Sequence, residues 1–249
     1  MRVSLQLYTV RNEISADLPG TLAALAKAGL KFVEGGGLSV EEAKTWKKLL
    51  DENGLQMSGA HYGLKAFEAP DDVFEAMEIV GCNTVIDPWE QPSNFETLDG
   101  VKQLAEKLTV AGMGAHAGGF EYLYHNHDFE FTNQFEGKSA WEHMVELTNP
   151  AWVNFEVDLA WVKIGGYDEI KLINDFSSRV GALHLKDTDP TKTPRWTIAG
   201  EGTVNLDAAL KFADEHNIGF GCIELDESPC APLEAVAKSF AYFSSKGYN

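Results

Sequence analysis

The sequence predicts an α/β protein folded as a single (β/α)8 barrel over residues 1–249. Short apolar runs alternate with amphipathic stretches along the whole chain, the pattern of parallel βα units. A chain of 249 residues suits one such barrel and buries a large core without staples. Four late segments, Tyr124-His125-Asn126-His127, Glu156-Val157-Asp158, His184-Leu185-Lys186-Asp187 and Glu224-Leu225-Asp226, each close an apolar run. From His125 to Asp158, His184 and Glu224 the steps are 33, 26 and 40 residues, near the repeat of one strand plus one helix.

The first strand is read over 3–8 and is followed by a helix over 18–28, with Gly29 placed for a left-handed C-terminal residue. Strand 31–34 runs into Gly35-Gly36-Gly37, read as a tight turn or close approach more than a phosphate cradle. Ser39 is positioned to cap helix 39–52, which Gly54 closes. Strand 56–61 ends on His61, and Asp71 can cap helix 70–79. Strand 84–87 precedes a long helix over 98–117, strand 121–125 precedes helix 139–147, and strand 153–158 precedes helix 170–176. Strand 182–184 with helix 206–216, and strand 219–224 with helix 233–244, complete eight units. The longest non-periodic stretches, 63–70, 127–138 and 187–202, all follow strands, which places them on the C-terminal face where such barrels carry their catalytic loops. A doubly wound dinucleotide-binding sheet wants G-x-G-x-x-G after its first strand, and Tyr8-Thr9-Val10-Arg11-Asn12 has no glycine.

Composition excludes several function classes. Acidic residues outnumber basic ones 38 to 20, for a net charge of −18, and no basic run exists to neutralise phosphates, so nucleic acid is not an expected partner. The acidity reads as solubility and self-repulsion. Three cysteines, Cys82, Cys222 and Cys230, form neither an even disulfide set nor a C-x-x-C pair, which fits a reducing compartment. Residues 1–8 lead straight into strand-like sequence, and no apolar stretch reaches the roughly 18 residues of a membrane span. The expectation is a cytoplasmic protein with no membrane partner; a homo-oligomer is left open.

Alternate side chains of a strand share a face, so His125 and His127, Glu156 and Asp158, His184 and Lys186, and Glu224 and Asp226 are same-side pairs. Carboxylates buried there without partners each cost several kcal/mol, a cost that a cation offsets. Carboxylate oxygens with imidazole nitrogens suit one divalent ion, Mn2+, Co2+, Zn2+ or Mg2+. The expected ligands are His125, Asp158, His184 and Glu224, with His127 the alternative to His125.

The segments YHNHDFEF, VNFEVDLAWVKIGG, GALHLKD, GEGTVNL and GFGCIELDES, in this order, resemble the sugar phosphate isomerase/epimerase superfamily, the xylose isomerase-like TIM barrels that include inosose dehydratase and endonuclease IV. The resemblance starts at Leu5-Gln6-Leu7-Tyr8-Thr9-Val10-Arg11 and spans nearly the whole chain. It implies metal-ligand positions at Asp158, His184 and Glu224. Many members carry a glutamate as fourth ligand at the end of the fifth strand, where this chain has His125. Epimerisation between two glutamates is therefore less expected than one-base proton abstraction, leading to isomerisation or loss of a β-leaving group.

The expected function is metal-dependent isomerisation, epimerisation or dehydration of a small ketose, keto-sugar or cyclitol through α-proton abstraction to an enediolate. Glu224 is the candidate base, and His125 or His127 the candidate general acid or second base, because an unperturbed imidazole titrates near neutral pH. Lys186 is placed to steady oxyanion charge or pair with Asp158 or Glu156. Trp89, Trp161 and Trp196 follow strands and can stack on sugar or simply pack; His61 and Glu34 can contact substrate or brace the ring of strands. Two alternatives stand beside this: a non-catalytic sugar-binding or regulatory barrel with a remnant metal site, and phosphodiester hydrolysis of damaged DNA, which the charge opposes.

Overall fold

A computed structural model describes residues 1–249. Eight parallel strands close into a barrel: β1 (Arg2–Gln6), β2 (Phe32–Gly36), β3 (Gln56–His61), β4 (Thr84–Asp87), β5 (Glu121–His125), β6 (Asn154–Asp158), β7 (Val180–His184) and β8 (Phe220–Ile223). Each strand pairs with its neighbours in sequence, and β1 pairs with β8 through Val3 opposite Gly221 and Leu5 opposite Ile223. The ring is covered outside by α1 (Leu18–Lys27), α2 (Val40–Asn53), α3 (Asp71–Val80), α4 (Leu98–Ala117), α5 (Ala140–Leu147), α6 (Glu169–Asp175), α7 (Leu206–His216) and α8 (Pro232–Ser245). Strands covered on both faces read as nearly continuous apolar runs, which is why β5 and β8 were visible without alternation, whereas β6, Asn154–Asp158, alternates polar and apolar residues.

The helices show why periodicity located them. In α7, Leu206, Ala209, Leu210 and Ala213 are buried at the three- and four-residue steps of one helical face. Ser39 caps α2 in a capping box with Glu42, and Ser139 does the same for α5 with Glu142, each worth about 1 kcal/mol. Gly54 sits past α2 at φ 66°, as the sequence suggested. Asp71 does not cap: it lies in the first turn of α3, Pro70 occupies the cap position, and no side chain bonds there. Two of the three glycines at the end of β2 make close approaches: a Cβ on Gly35 would meet Met57 at 2.9 Å and one on Gly37 would meet the Tyr62 ring at 2.8 Å, whereas Gly36 has open space.

Strand bounds differ from the sequence reading at β1, β2, β6, β7 and β8, and at β1 and β7 for identifiable reasons. β1 stops at Gln6 because the Gln6 side chain accepts the Tyr8 N–H and starts a 3-10 turn, Leu7–Val10, whose Leu7 and Val10 still reach the core and so imitate a longer strand. β7 begins at Val180, two residues early, and contains Gly181. A Cβ there would lie 2.6 Å from Leu123, so this glycine marks close packing and not a break. Short helices over Arg11–Ala16 and Leu159–Ile164 have too few apolar steps to show as periodic.

The C-terminal end of the barrel carries the irregular structure. The 3-10 turn Leu64–Glu68 follows β3, helix Phe129–Thr132 and a small hairpin (Gln134–Phe135 with Lys138–Ser139) follow β5, and a second hairpin (Asp187–Thr188 with Trp196–Thr197) follows β7. Asp187 fixes the last of these: its carboxylate accepts the backbone N–H groups of Gly200, Gly202 and Val204 at 3.0, 2.9 and 3.1 Å. No helix is long and apolar enough to cross a membrane.

Candidate functional site

The ends of β5, β6, β7 and β8 deliver His125, Asp158, His184 and Glu224 to one point at the barrel mouth. One donor atom from each lies within 4.8 Å of all the others, and all four residues are buried. Register accounts for this convergence: Asp158 stands opposite His184 in the β6–β7 ladder, and His184 opposite Cys222, two residues before Glu224, in β7–β8. His184 Nδ1 is 3.2 Å from Glu224 Oε2 and 3.8 Å from Asp158 Oδ2; His125 Nε2 is 3.9 Å from the same Asp158 oxygen. His125, not His127, belongs to this group.

Below it lies a second layer. Glu156 Oε2 is 3.0 Å from His184 Nε2 and 3.2 Å from His125 Nδ1, and Glu34 Oε1 is 3.1 Å from His184 Nε2. Glu34 also accepts from Gln6 Nε2 at 2.7 Å and faces His61 Nε2 at 2.8 Å. The ladders slip between Val33 and Glu34 and between Phe155 and Glu156, immediately before each carboxylate. Bulges of this kind re-aim a side chain. Gly59 leaves room for the first: a Cβ there would lie 3.2 Å from Glu34. The two acids face Nε2 of His184 and Nδ1 of His125, so the opposite nitrogens, His184 Nδ1 and His125 Nε2, are directed toward Asp158 and Glu224.

The donor set suits a divalent cation. Asp158 Oδ1 accepts the Trp161 N–H and caps helix Leu159–Ile164, whereas Asp158 Oδ2 is buried with no hydrogen-bond partner. Lys186 Nζ stands 3.4 Å from that oxygen, 2.8 Å from Glu224 Oε2 and 2.6 Å from Asp226 Oδ2. An orphaned buried carboxylate oxygen beside two imidazole nitrogens is the arrangement a hard or borderline cation satisfies.

Electrostatics divide the site. Burial opposes the charge of Glu224, but Lys186 and His184 outweigh it and hold this carboxyl well below the ordinary range. Burial likewise opposes charge on Lys186, and Glu224, Asp158 and Asp226 keep it firmly cationic. Burial pushes Asp158 up to about 6 against the pull of Lys186. Burial, together with neighbouring His184, holds His125 well below the usual imidazole range, and burial with Lys186 holds His127 at about 3. Both rings are therefore neutral at neutral pH. The expectation that they titrate near neutrality is corrected: desolvation and adjacent cations keep the proton off.

A cavity of 540 Å³ opens above the group, and Gln6, His61, Trp89, His125, His127 and Glu224 are among its walls. Of the tryptophans read from the sequence, Trp89 borders it. Trp161 and Trp196 are not in its lining; they pack on each other at 4.8 Å and enclose Lys186, whose Nζ lies 5.2 and 4.6 Å from their ring centres. A desolvated ammonium over aromatic faces is favourable. His61 both lines the cavity and braces Glu34, and Glu34 itself is buried in the bracing layer. Three site residues were not anticipated: Gln6, Tyr8 and Arg11. Ser4 and Gln6 share a face of β1 by alternation, the one signal that could have placed Gln6 inside the barrel.

A family model described as the xylose isomerase-like TIM barrel matches residues 22–246. The chain belongs to this family. A relative named inosose dehydratase, from Clostridium perfringens, is 23% identical over 265 residues, covering 90% of this chain and 88% of its own length. Among solved structures, a sugar phosphate isomerase/epimerase from Parabacteroides distasonis superposes with a TM-score of 0.83 at 26% identity, over 98% of this chain and 96% of that one. The IOLI protein, solved with a bound zinc atom, superposes with a TM-score of 0.70 at 14% identity, over 98% and 97% of the two chains. Members thus share with this chain a barrel whose C-terminal mouth carries its loops.

Proposed function

We propose that the protein is a divalent-metal-dependent enzyme of the isomerase, epimerase or dehydratase type, acting on a small ketose, keto-sugar or cyclitol. The observation that carries this reading is the convergence of His125, Asp158, His184 and Glu224 within 4.8 Å at the floor of a cavity, with Asp158 Oδ2 left without a hydrogen-bond partner. Inosose dehydratase relatives and the zinc bound by the IOLI protein support it.

His125, Asp158, His184 and Glu224 would hold the cation, Mn2+, Co2+, Zn2+ or Mg2+, which when bound supplies Lewis-acid polarisation of a substrate carbonyl. Glu34 and Glu156 orient the two imidazoles. Glu224, kept ionised by Lys186 and His184, accepts the proton from the carbon next to the carbonyl, and the C–H electron pair moves toward the carbonyl oxygen. Lys186 holds positive charge beside that carboxylate throughout. His127, neutral and lining the cavity, is placed to hydrogen-bond a substrate hydroxyl. Return of the proton to the neighbouring carbon gives isomerisation; loss of a β-hydroxyl, leaving as water with that proton, gives dehydration.

The test is solvent exchange. Metal-loaded protein in D2O, offered ketoses, keto-glycosides and inososes, is expected to place deuterium on the α-carbon of at least one, and a chelator is expected to abolish the exchange. Saturable sugar binding without exchange across the set would replace this reading with a regulatory barrel, and full-rate turnover by chelator-stripped protein would refute the role of the metal.

A further inference from the structure

We propose that the outer part of the cavity is a second binding subsite, which holds an uncharged ring joined glycosidically to the sugar that reacts at the floor; this rests on the carbohydrate chemistry proposed above. Size is the first ground. At 540 Å³ the cavity has room for about 18 waters at the ~30 Å³ each occupies in the liquid, more than the heavy atoms of one hexose need. The reacting groups occupy one end only, since His125 and Glu224 lie at the strand termini.

The second ground is the rim. Tyr8 and Trp89 are 51% and 42% exposed, two of only five large apolar side chains so exposed on the whole molecule, and both border this cavity. The Arg11 guanidinium lies 4.0 Å from the Tyr8 ring centre, and the Trp89 backbone N–H reaches Asp87 Oδ1 at 3.4 Å. Leu38 and Trp46 continue the apolar wall. Exposed aromatic faces beside a polar floor are the surface on which the apolar face of a ring stacks.

Charge disfavours a phosphate in that position. Glu224 and Asp226 line the cavity, and Arg11, its one lysine or arginine, donates to the carbonyl oxygens of Tyr8 at 2.8 Å and Asp226 at 3.0 Å. Lys186 is committed to three carboxylates. The group above the floor is therefore neutral.

Binding isotherms by calorimetry on the metal-loaded protein test this with D-glucose, D-galactose, their phenyl β-glycosides, cellobiose and D-glucose 6-phosphate. The expected result is that at least one two-ring compound binds ten-fold or more tightly than its parent sugar, with no gain for the 6-phosphate. Trp89→Ala and Tyr8→Ala should each remove most of that increment; Trp89→Phe should keep it, and unchanged circular dichroism would show that the exposed truncations still fold. Equal affinity for one and two rings, no sugar binding at all, tighter binding of the phosphate, or an increment that survives both alanine variants would overturn the proposal. The increment is read without turnover, so a tight two-ring complex lacking deuterium exchange condemns the proposed chemistry alone, and exchange without an increment condemns the subsite alone.

Discussion

Glu156 Oε2 stands 3.0 Å from His184 Nε2 and 3.2 Å from His125 Nδ1, so one carboxylate oxygen braces both imidazoles of the proposed cation site. Its other oxygen, Oε1, is buried without a partner. Glutamine in its place keeps one acceptor oxygen but loses the negative charge that strengthens both imidazole hydrogen bonds. Glu156→Gln is expected to weaken metal binding about 10–100-fold while leaving all four ligands present. A Zn2+ or Mn2+ titration against a competing chelator measures this; unchanged affinity would mean that the histidines are oriented by something else.

Glu130 is fully buried, accepting from Tyr124 Oη at 2.7 Å and from the His127 N–H at 2.9 Å, and burial raises its pKa to about 8. In the unfolded chain the same carboxyl titrates near 4.3. Its contribution to stability is complete below the unfolded pKa and is lost as pH rises through the folded value, a loss on the order of several kcal/mol between about pH 4 and 8. Glutamine keeps both bonds if the Tyr124 hydroxyl turns to accept. Glu130→Gln should therefore flatten the fall in denaturant midpoint between pH 5 and pH 8 and raise stability at pH 8. An identical pH dependence in variant and wild type would show that Glu130 is not the group responsible.

Lys186 is the only lysine or arginine within ion-pair distance of Asp158, Glu224 and Asp226 at once, and it is 1% exposed. Lys186→Met preserves the packing between Trp161 and Trp196 but leaves buried carboxylates facing one another. In metal-free protein at neutral pH the expected cost is about 3–5 kcal/mol. Protonation of Asp158, whose pKa is about 6 beside the lysine and rises when the lysine is removed, should recover part of it as pH falls toward 6, and a divalent cation should recover more. Urea melts with and without Mn2+ give the comparison; a variant as stable as wild type without metal would contradict the assigned role.

Asp187 organises the β7 loop through the N–H groups of Gly200, Gly202 and Val204. Asp187→Ala is expected to expose residues 187–204 to rapid hydrogen exchange while the barrel strands stay protected, and Gly202→Ala to do likewise, because its Cβ would fall 2.2 Å from the Asp187 carboxylate. Wild-type exchange in that segment would remove the carboxylate as its anchor.

Much of the barrel was legible because a strand buried on both faces and a helix buried on one leave different apolar periods. β3, β4 and β5, and likewise α4 and α7, have the bounds that pattern implies. The end of β1 was not legible, because the side chain of Gln6 and not an apolar residue ends it. At the site, chemistry at strand ends marked His125, Asp158, His184 and Glu224, and their convergence needed only the order of strands. The roles of Glu34 and Glu156 depend on two bulges, and those of Trp161 and Trp196 on a loop folding back over Lys186. Such tertiary placements leave no periodic trace. Neutral His125 and His127 were equally hidden, since their proton affinity is set by burial and by cations from other strands.

The central claim is that the four strand-end residues form one cation site, and the most direct measurement is metal content by elemental mass spectrometry on wild type beside His184→Ala, each purified without added metal and again after incubation with Mn2+, Co2+, Zn2+ or Mg2+. About one divalent ion per chain in wild type, lost in the variant, is the predicted result. No ion in wild type under any of these conditions, or an ion retained by His184→Ala, would contradict it and leave His125, Asp158, His184 and Glu224 as a buried ionic network.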